Sequence, residues 1–133
     1  MAKEIKLSPG EWEVMETIWN KGGSPSVREV YERLYPNAEK AYTTIQTIMN
    51  NLETKGFLRK KKIGLVNFYT PTRKRETMVK VETQGLVSKA FRGSFMSLAN
   101  YLINSDSLTT DDITELKTLI EKREAELRNN NND

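Results

Sequence analysis

The chain has 133 residues, 37% of them apolar and 29% charged, with 21 basic against 18 acidic side chains and a net charge of +3. That length holds one or two small domains and excludes a large enzyme core. Without cysteine or histidine there can be no disulfide, thiolate metal site or cysteine nucleophile, and the commonest general base and metal ligand at neutral pH are missing.

No run approaches the ~20 apolar residues of a bilayer span. The opening MAKEIKLSPGEW lacks the apolar centre of a signal peptide. A cytoplasmic chain with no stable membrane association is therefore expected. The charge is unevenly spread. Residues 1–39 hold five basic and seven acidic side chains, residues 40–75 nine and one, and residues 93–133 four and eight. A basic stretch of that density is the footprint of polyanion binding.

Ser8-Pro9-Gly10-Glu11 opens a first helix, with Ser8 as N-cap, Pro9 at N1 and Glu11 completing a capping box. Trp12, Met15, Ile18 and Trp19 follow on one face, and Asn20-Lys21-Gly22-Gly23 ends it. Ser24-Pro25-Ser26 opens a second short helix with Val27, Val30, Tyr31 and Leu34 on its apolar side. Tyr35-Pro36-Asn37 stops that one. A third helix runs from about Ala41 to Lys55, and Gly56 stands where a left-handed C′ residue is wanted.

After Gly56 the period changes. Residues 57–62 and 65–70 read as two strands joined near Ile63-Gly64, a hairpin closed by Pro71. Three helices and a hairpin within about 70 residues is the winged-helix order. Beyond it, 72–91 and 94–104 read as helices, and a last helix starts at Thr109-Thr110-Asp111-Asp112. The polar tail Asn129–Asp133 is expected to fray. The fold class is mainly α with a small β-hairpin: a winged helix-turn-helix domain over 1–71, then a helical dimerisation region over 72–133.

The dimerisation reading comes from size. Three thin amphipathic helices bury too little surface to stand alone, and a twofold pair is the commonest remedy. Phe91, Phe95, Leu98, Tyr101, Leu102, Ile113, Leu116 and Ile120 are the expected contact residues.

In the third helix, Ile45, Ile48, Met49 and Leu52 form a buried stripe. Thr43, Gln46, Thr47 and Asn50 lie opposite, with Thr44 on one shoulder. A merely solvated face would carry Lys and Glu. This one carries amides suited to adenine and threonine methyls suited to thymine. Thr43, Thr44, Gln46, Thr47 and Asn50 are therefore expected to read bases in double-stranded DNA. Lys40, Tyr42, Lys60, Lys61 and Lys62 are expected on phosphates. Strand alternation divides the cationic run, so Lys60 with Lys62, or Arg59 with Lys61, forms the pair that meets one backbone. Ser8, Ser24 and Ser26 read as caps, not nucleophiles. Asp111, Asp112 and Glu115 suit the positive end of a helix, so no metal and no cofactor are expected. No acid–base or nucleophile constellation can be assembled, which argues against an enzyme.

Several segments resemble the BlaI/MecI/CopY family of bacterial penicillinase-type repressors. They are Glu11-Trp12-Glu13-Val14-Met15 with Ile18-Trp19, then Ala41-Tyr42-Thr43-Thr44-Ile45-Gln46-Thr47 with Leu52, Lys55-Gly56 and Leu58. Gly64, Phe68-Tyr69 and Pro71 follow, and finally Leu108-Thr109, Ile113, Glu115-Leu116 and Ile120. The resemblance implies a winged-helix homodimer that binds palindromic operators and represses transcription, with β-lactam-resistance-type genes as targets. In the β-lactam-responsive branch a membrane sensor-protease system leads to cutting of the repressor in its dimerisation region, and alignment puts that bond at Tyr101-Leu102. The copper-responsive branch uses a cysteine motif, which this chain lacks. The family often has basic residues where Thr43, Asn51 and Leu65 stand, which implies a different operator. The alternative is a ligand-sensing winged-helix regulator released by a small molecule rather than by cleavage.

Overall fold

A computed structural model describes residues 6–131. In chain order these form α1 (Pro9–Lys21), α2 (Val27–Leu34), α3 (Tyr42–Thr54), β1 (Leu58–Ile63), β2 (Val66–Pro71), α4 (Arg75–Ala90), α5 (Phe95–Ile103) and α6 (Thr110–Asn131). The fold is mainly helical, with one antiparallel hairpin placed after three helices in winged-helix order. Among the described residues no helix is long and apolar enough to cross a membrane.

Local chemistry accounts for most element boundaries. The Ser8 hydroxyl accepts the Glu11 N–H at 3.2 Å while the Glu11 carboxylate accepts the Ser8 N–H at 2.8 Å, the capping box expected from the sequence. The start of α2 differs from expectation. Ser26 is the cap, with its own box to Glu29, and Ser24 is no cap at all. Residues 24–26 instead lie along β2. Tyr69 N–H donates to the Pro25 carbonyl at 2.9 Å, and the Ser24 and Thr70 hydroxyls meet at 2.6 Å. Ser26 bridges Phe68, so this segment covers the edge of β2 that β1 leaves open.

α3 ends in a Schellman motif. Gly56 takes φ +86°, its N–H reaches the Glu53 carbonyl, and Phe57 N–H reaches Leu52. The chain is thereby turned straight into β1. The strands pair from Leu58↔Pro71 to Ile63↔Val66, so the turn is Gly64-Leu65, one residue later than expected. Gly64 takes φ +63° and Leu65 is not among the positive-φ residues. That is the type II′ pattern, which needs its glycine at the first loop position.

The chain divides into two compact units between Thr83 and Gln84, inside α4. The first is organised around Val14, Met15 and Ile18 of α1, Val30 of α2, Ile45, Met49 and Leu52 of α3, and Phe57, Leu58 and Tyr69 of the hairpin. Met78 of α4 joins this cluster. Trp12, Trp19 and Tyr31 pack half-buried against it. α4 starts three residues after the expected Thr72. There Thr72 is tied to the hairpin base, its N–H on the Phe57 carbonyl and its hydroxyl on that of Gly56.

Among the ion pairs of the first unit, one has a buried carboxylate. Lys55 donates to both oxygens of the buried Glu11 carboxylate at 2.8 Å. Burial alone would push the Glu11 carboxyl up. The hydrogen bonds from Lys55 and Ser8 outweigh it and hold the group below the ordinary carboxylate range. The chain after the hairpin is also held by α1. Trp19 Nε1 donates to the Arg73 carbonyl at 3.0 Å, and Arg75 Nε reaches the Glu16 carboxylate at 2.8 Å.

In the second unit, Ser94 caps α5 and Thr109 caps α6, the latter exchanging hydrogen bonds with Asp112. α6 continues to Asn131, so Asn129–Asn131 are helical where a frayed tail was expected. Asn132 and Asp133 lie outside the described residues. Neither α5 nor α6 contains a buried residue.

Candidate nucleic-acid interface

With Ile45, Met49 and Leu52 turned into the core, helical periodicity leaves Thr43, Thr44, Gln46, Thr47 and Asn50 exposed. No charged side chain occurs between Tyr42 and Leu52. Tyr42, Gln46 and Asn50 line a concavity of about 440 Å³. Its other walls are Ser26, Val27 and Arg28 at the start of α2, and Lys60, Leu65, Val66, Asn67 and Tyr69 of the hairpin. The threonines lie outside it, on the open surface of α3.

Asn50 is held in place from beneath. The hydroxyl of buried Tyr69 donates to Asn50 Oδ1 at 2.9 Å, which leaves the amide nitrogen as the donor on offer. Burial pushes the Tyr69 hydroxyl up, with Glu53 and Tyr42 acting in the same direction, so it stays a proton donor at neutral pH.

The register sorts the cations. Lys60 stands opposite Tyr69 and Lys62 opposite Asn67, on the face that looks toward α3. Lys61, opposite Phe68, shares the other face with Arg59. The three hairpin lysines thus do not form one row, and Lys60 is the member that reaches the concavity. Lys40 is exposed ahead of α3, its ammonium 5.6 Å from the Tyr35 ring centre. The Lys40 carbonyl accepts the Tyr31 hydroxyl at 2.7 Å. Ala38, at φ +54°, turns the chain into this segment.

Arg28 went unnoticed in the sequence. Its guanidinium lies 5.0 Å over the half-buried Tyr42 ring, on the rim beside Gln46. Its position carried a usable signal. A cation in the first turn of a helix opposes the helix dipole, which the 3.7 Å ion pair from Arg28 to Glu32 one turn on partly offsets.

In the second unit, Phe95, Tyr101, Leu102 and Ile120 are exposed, while Phe91, Leu98, Ile113 and Leu116 are half-buried. The Phe91 and Tyr101 rings lie 5.9 Å apart. The Tyr101-Leu102 bond is inside α5, and Asn104 donates to both the carbonyl and the side-chain oxygen of Asn100 just before it.

The sequence profile of the penicillinase repressor family matches residues 7–122. The methicillin resistance regulatory protein MecI of Staphylococcus aureus (strain N315) is 30% identical over 123 residues, covering 91% of this chain and 98% of that protein. A penicillinase repressor of Bacillus licheniformis is 30% identical over 122 residues, 92% of this chain and 94% of its own. A penicillinase repressor of Staphylococcus aureus is 25% identical over 118 residues.

Proposed function

The chain belongs to the penicillinase repressor family, and from that premise we propose that it is a homodimeric, sequence-specific DNA-binding repressor of resistance-type genes. One observation carries the reading: an exposed, uncharged face of α3 set beside a cationic hairpin. A helix of this kind fits the major groove, where Gln46 can bond adenine through both amide atoms and Asn50 can donate to a base edge. The methyls of Thr43, Thr44 and Thr47 suit thymine. Lys60, Lys62, Lys40, Tyr42 and Arg28 then hold phosphates and set register, while Lys61 on the far strand face adds to the attracting field.

Two copies would pair through the second unit and address two halves of a palindromic operator. The support is the apolar surface α5 and α6 leave uncovered in a single chain, with Phe95, Tyr101, Leu102 and Ile120 exposed. Phe91, Leu98, Ile113 and Leu116 complete the face. Each half-site alone binds weakly, and pairing multiplies affinity through effective concentration. A cut at Tyr101-Leu102 by a sensor-protease system would remove α6 and dissolve the pair. The first unit, whose core is its own, would stay folded. α5 must open locally before a protease can seat that bond.

The test compares an inverted-repeat duplex selected in vitro with a random duplex. Gln46→Ala is expected to lose about 1–3 kcal/mol on the selected duplex and little on the random one. Lys60→Ala should weaken both alike and reduce the salt slope by about one. Equal losses for Gln46→Ala on the two duplexes would refute base reading.

A further inference from the structure

Helix α4 belongs to both units. Met78, 2% exposed, is seated in the core of the first. Val87, equally buried, lies beyond the boundary between Thr83 and Gln84 and stands outside that core cluster. Between these two anchors no side chain of α4 is buried. The intervening sequence is also poor in helix formers, since Val79, Val81, Thr83 and Gly85 alternate with Lys80, Glu82 and Gln84. β-Branched residues lose side-chain freedom in a helix, and glycine loses the most backbone freedom of any residue. Among the described residues no ion pair joins one turn of α4 to the next, whereas α6 has Arg123 on Glu126 and Arg128 on Glu124.

A glycine inside a helix commonly stands where a neighbour leaves no room for a Cβ. Gly85 has no such neighbour, and a methyl group at this position would meet nothing within 4 Å. It does not end the helix either, because α4 continues to Ala90, and it is not among the left-handed positions. Alanine would therefore fit without strain and make a stiffer helix. What glycine supplies here is softness. A helix bends and opens most readily where glycine coincides with few buried contacts, and Gly85 follows directly on the boundary between the units.

Resting on the reading above, in which two copies address the halves of a palindromic operator, we propose that Gly85 is a positioning residue: the joint in α4 that sets which half-site spacings the pair accepts. Half-sites one helical turn apart have centres separated by about 34–36 Å, or about 10–10.5 base pairs. Each base pair inserted between them therefore moves one half-site by about 3.4 Å and rotates it by about 35°. A stiff α4 passes that displacement on to the pairing face or to the contacts of α3, and affinity falls. A helix that yields at Gly85 absorbs it, because each first unit can turn without disturbing its core. Gly85 touches no base. It acts through the aim of α3, on spacing rather than on sequence.

Duplexes carrying one half-site sequence selected in vitro, as inverted pairs whose spacing changes one base pair at a time, test this by fluorescence anisotropy. Wild-type protein should lose no more than about threefold in affinity when a base pair is added to or removed from the best spacing. Gly85→Ala should match wild type on an isolated half-site and at the best spacing, yet fall on the order of tenfold at the neighbouring ones. Gln84→Gly, which places a second glycine beside the first, should flatten the profile further. Amide hydrogen exchange without DNA gives the second arm. Residues 82–87 should exchange faster than the rest of α4, and Gly85→Ala should slow them more than the amides around Met78. Identical spacing profiles for wild type and Gly85→Ala would overturn the joint while leaving base reading and pairing intact. So would α4 amides protected equally along its length. A wild-type protein that binds an isolated half-site as tightly as the full repeat would remove the pairing reading first, and the joint with it.

Discussion

Replacing Glu11 by alanine perturbs three things at once: the ion pair to Lys55, the acceptor for the Ser8 N–H, and the tie between α1 and the end of α3. The carboxylate side chain is 6% exposed and the Lys55 side chain 35%. Losing one partner of a fully buried pair costs about 3–5 kcal/mol. Lys55 keeps much of its water, so the stranded charge costs less here, and with the capping bond also lost the total is about 2 kcal/mol. In a unit of this size that corresponds to roughly 8–16 °C in Tm. Both tryptophans of the chain, Trp12 and Trp19, lie in α1, so tryptophan fluorescence, excited selectively over tyrosine, reports on this unit alone during urea or thermal unfolding. Glu11→Gln, which keeps an acceptor for Ser8 but not the charge, should fall between. A double-mutant cycle with Lys55→Ala isolates the pair. The reasoning fails if Glu11→Ala unfolds within about 0.5 kcal/mol of wild type. It fails equally if the two single losses simply add.

Three further outcomes are expected. Glu11 and Glu29 are both held below the usual glutamate value of about 4.5, so the stability they contribute is complete above that value and drains away as pH falls through their lowered ones. Urea titrations between pH 7 and 3 should show this acid limb, flatter in Glu11→Gln; an unchanged limb would contradict the assignment. Tyr69→Phe should cost about 0.5–1.5 kcal/mol of stability and relax base discrimination at the single operator position facing Asn50, measured on a panel of single-base duplex variants. Ile120→Asp should convert the sedimenting species from pair to single subunit while leaving tryptophan-monitored unfolding unchanged. A persistent pair would move the interface elsewhere.

The parts of the fold legible in the sequence are those settled within a few residues. The Ser8 capping box, the apolar stripe of α3 and the glycine that ends it all follow from near neighbours. The turn slipped by one position because hydropathy cannot say which residue occupies the first loop site; the positive φ of Gly64 decides it. Ser24 reads as a cap in the sequence because its actual partner, Thr70, is 46 residues away. The candidate site divides the same way. Which residues of α3 face outward is periodic information and therefore readable. The anchoring of Asn50 by Tyr69, the pairing of Arg28 with Tyr42 and the separation of Lys61 from Lys60 arise only when remote segments meet.

Helix α1 offers no side chain to the proposed DNA surface, yet it grips the chain just before the hairpin through Glu11 and just after it through Glu16 and Trp19. α3 and the hairpin are thereby set at one angle, like the jaws of a locked gauge, and on the proposed reading cannot adjust separately to a duplex of the wrong pitch or groove width. If α3 reads bases as proposed, mutational drift inside α1 can retune which promoters are silenced through aim alone, with every residue on the outer face of α3 left as it was.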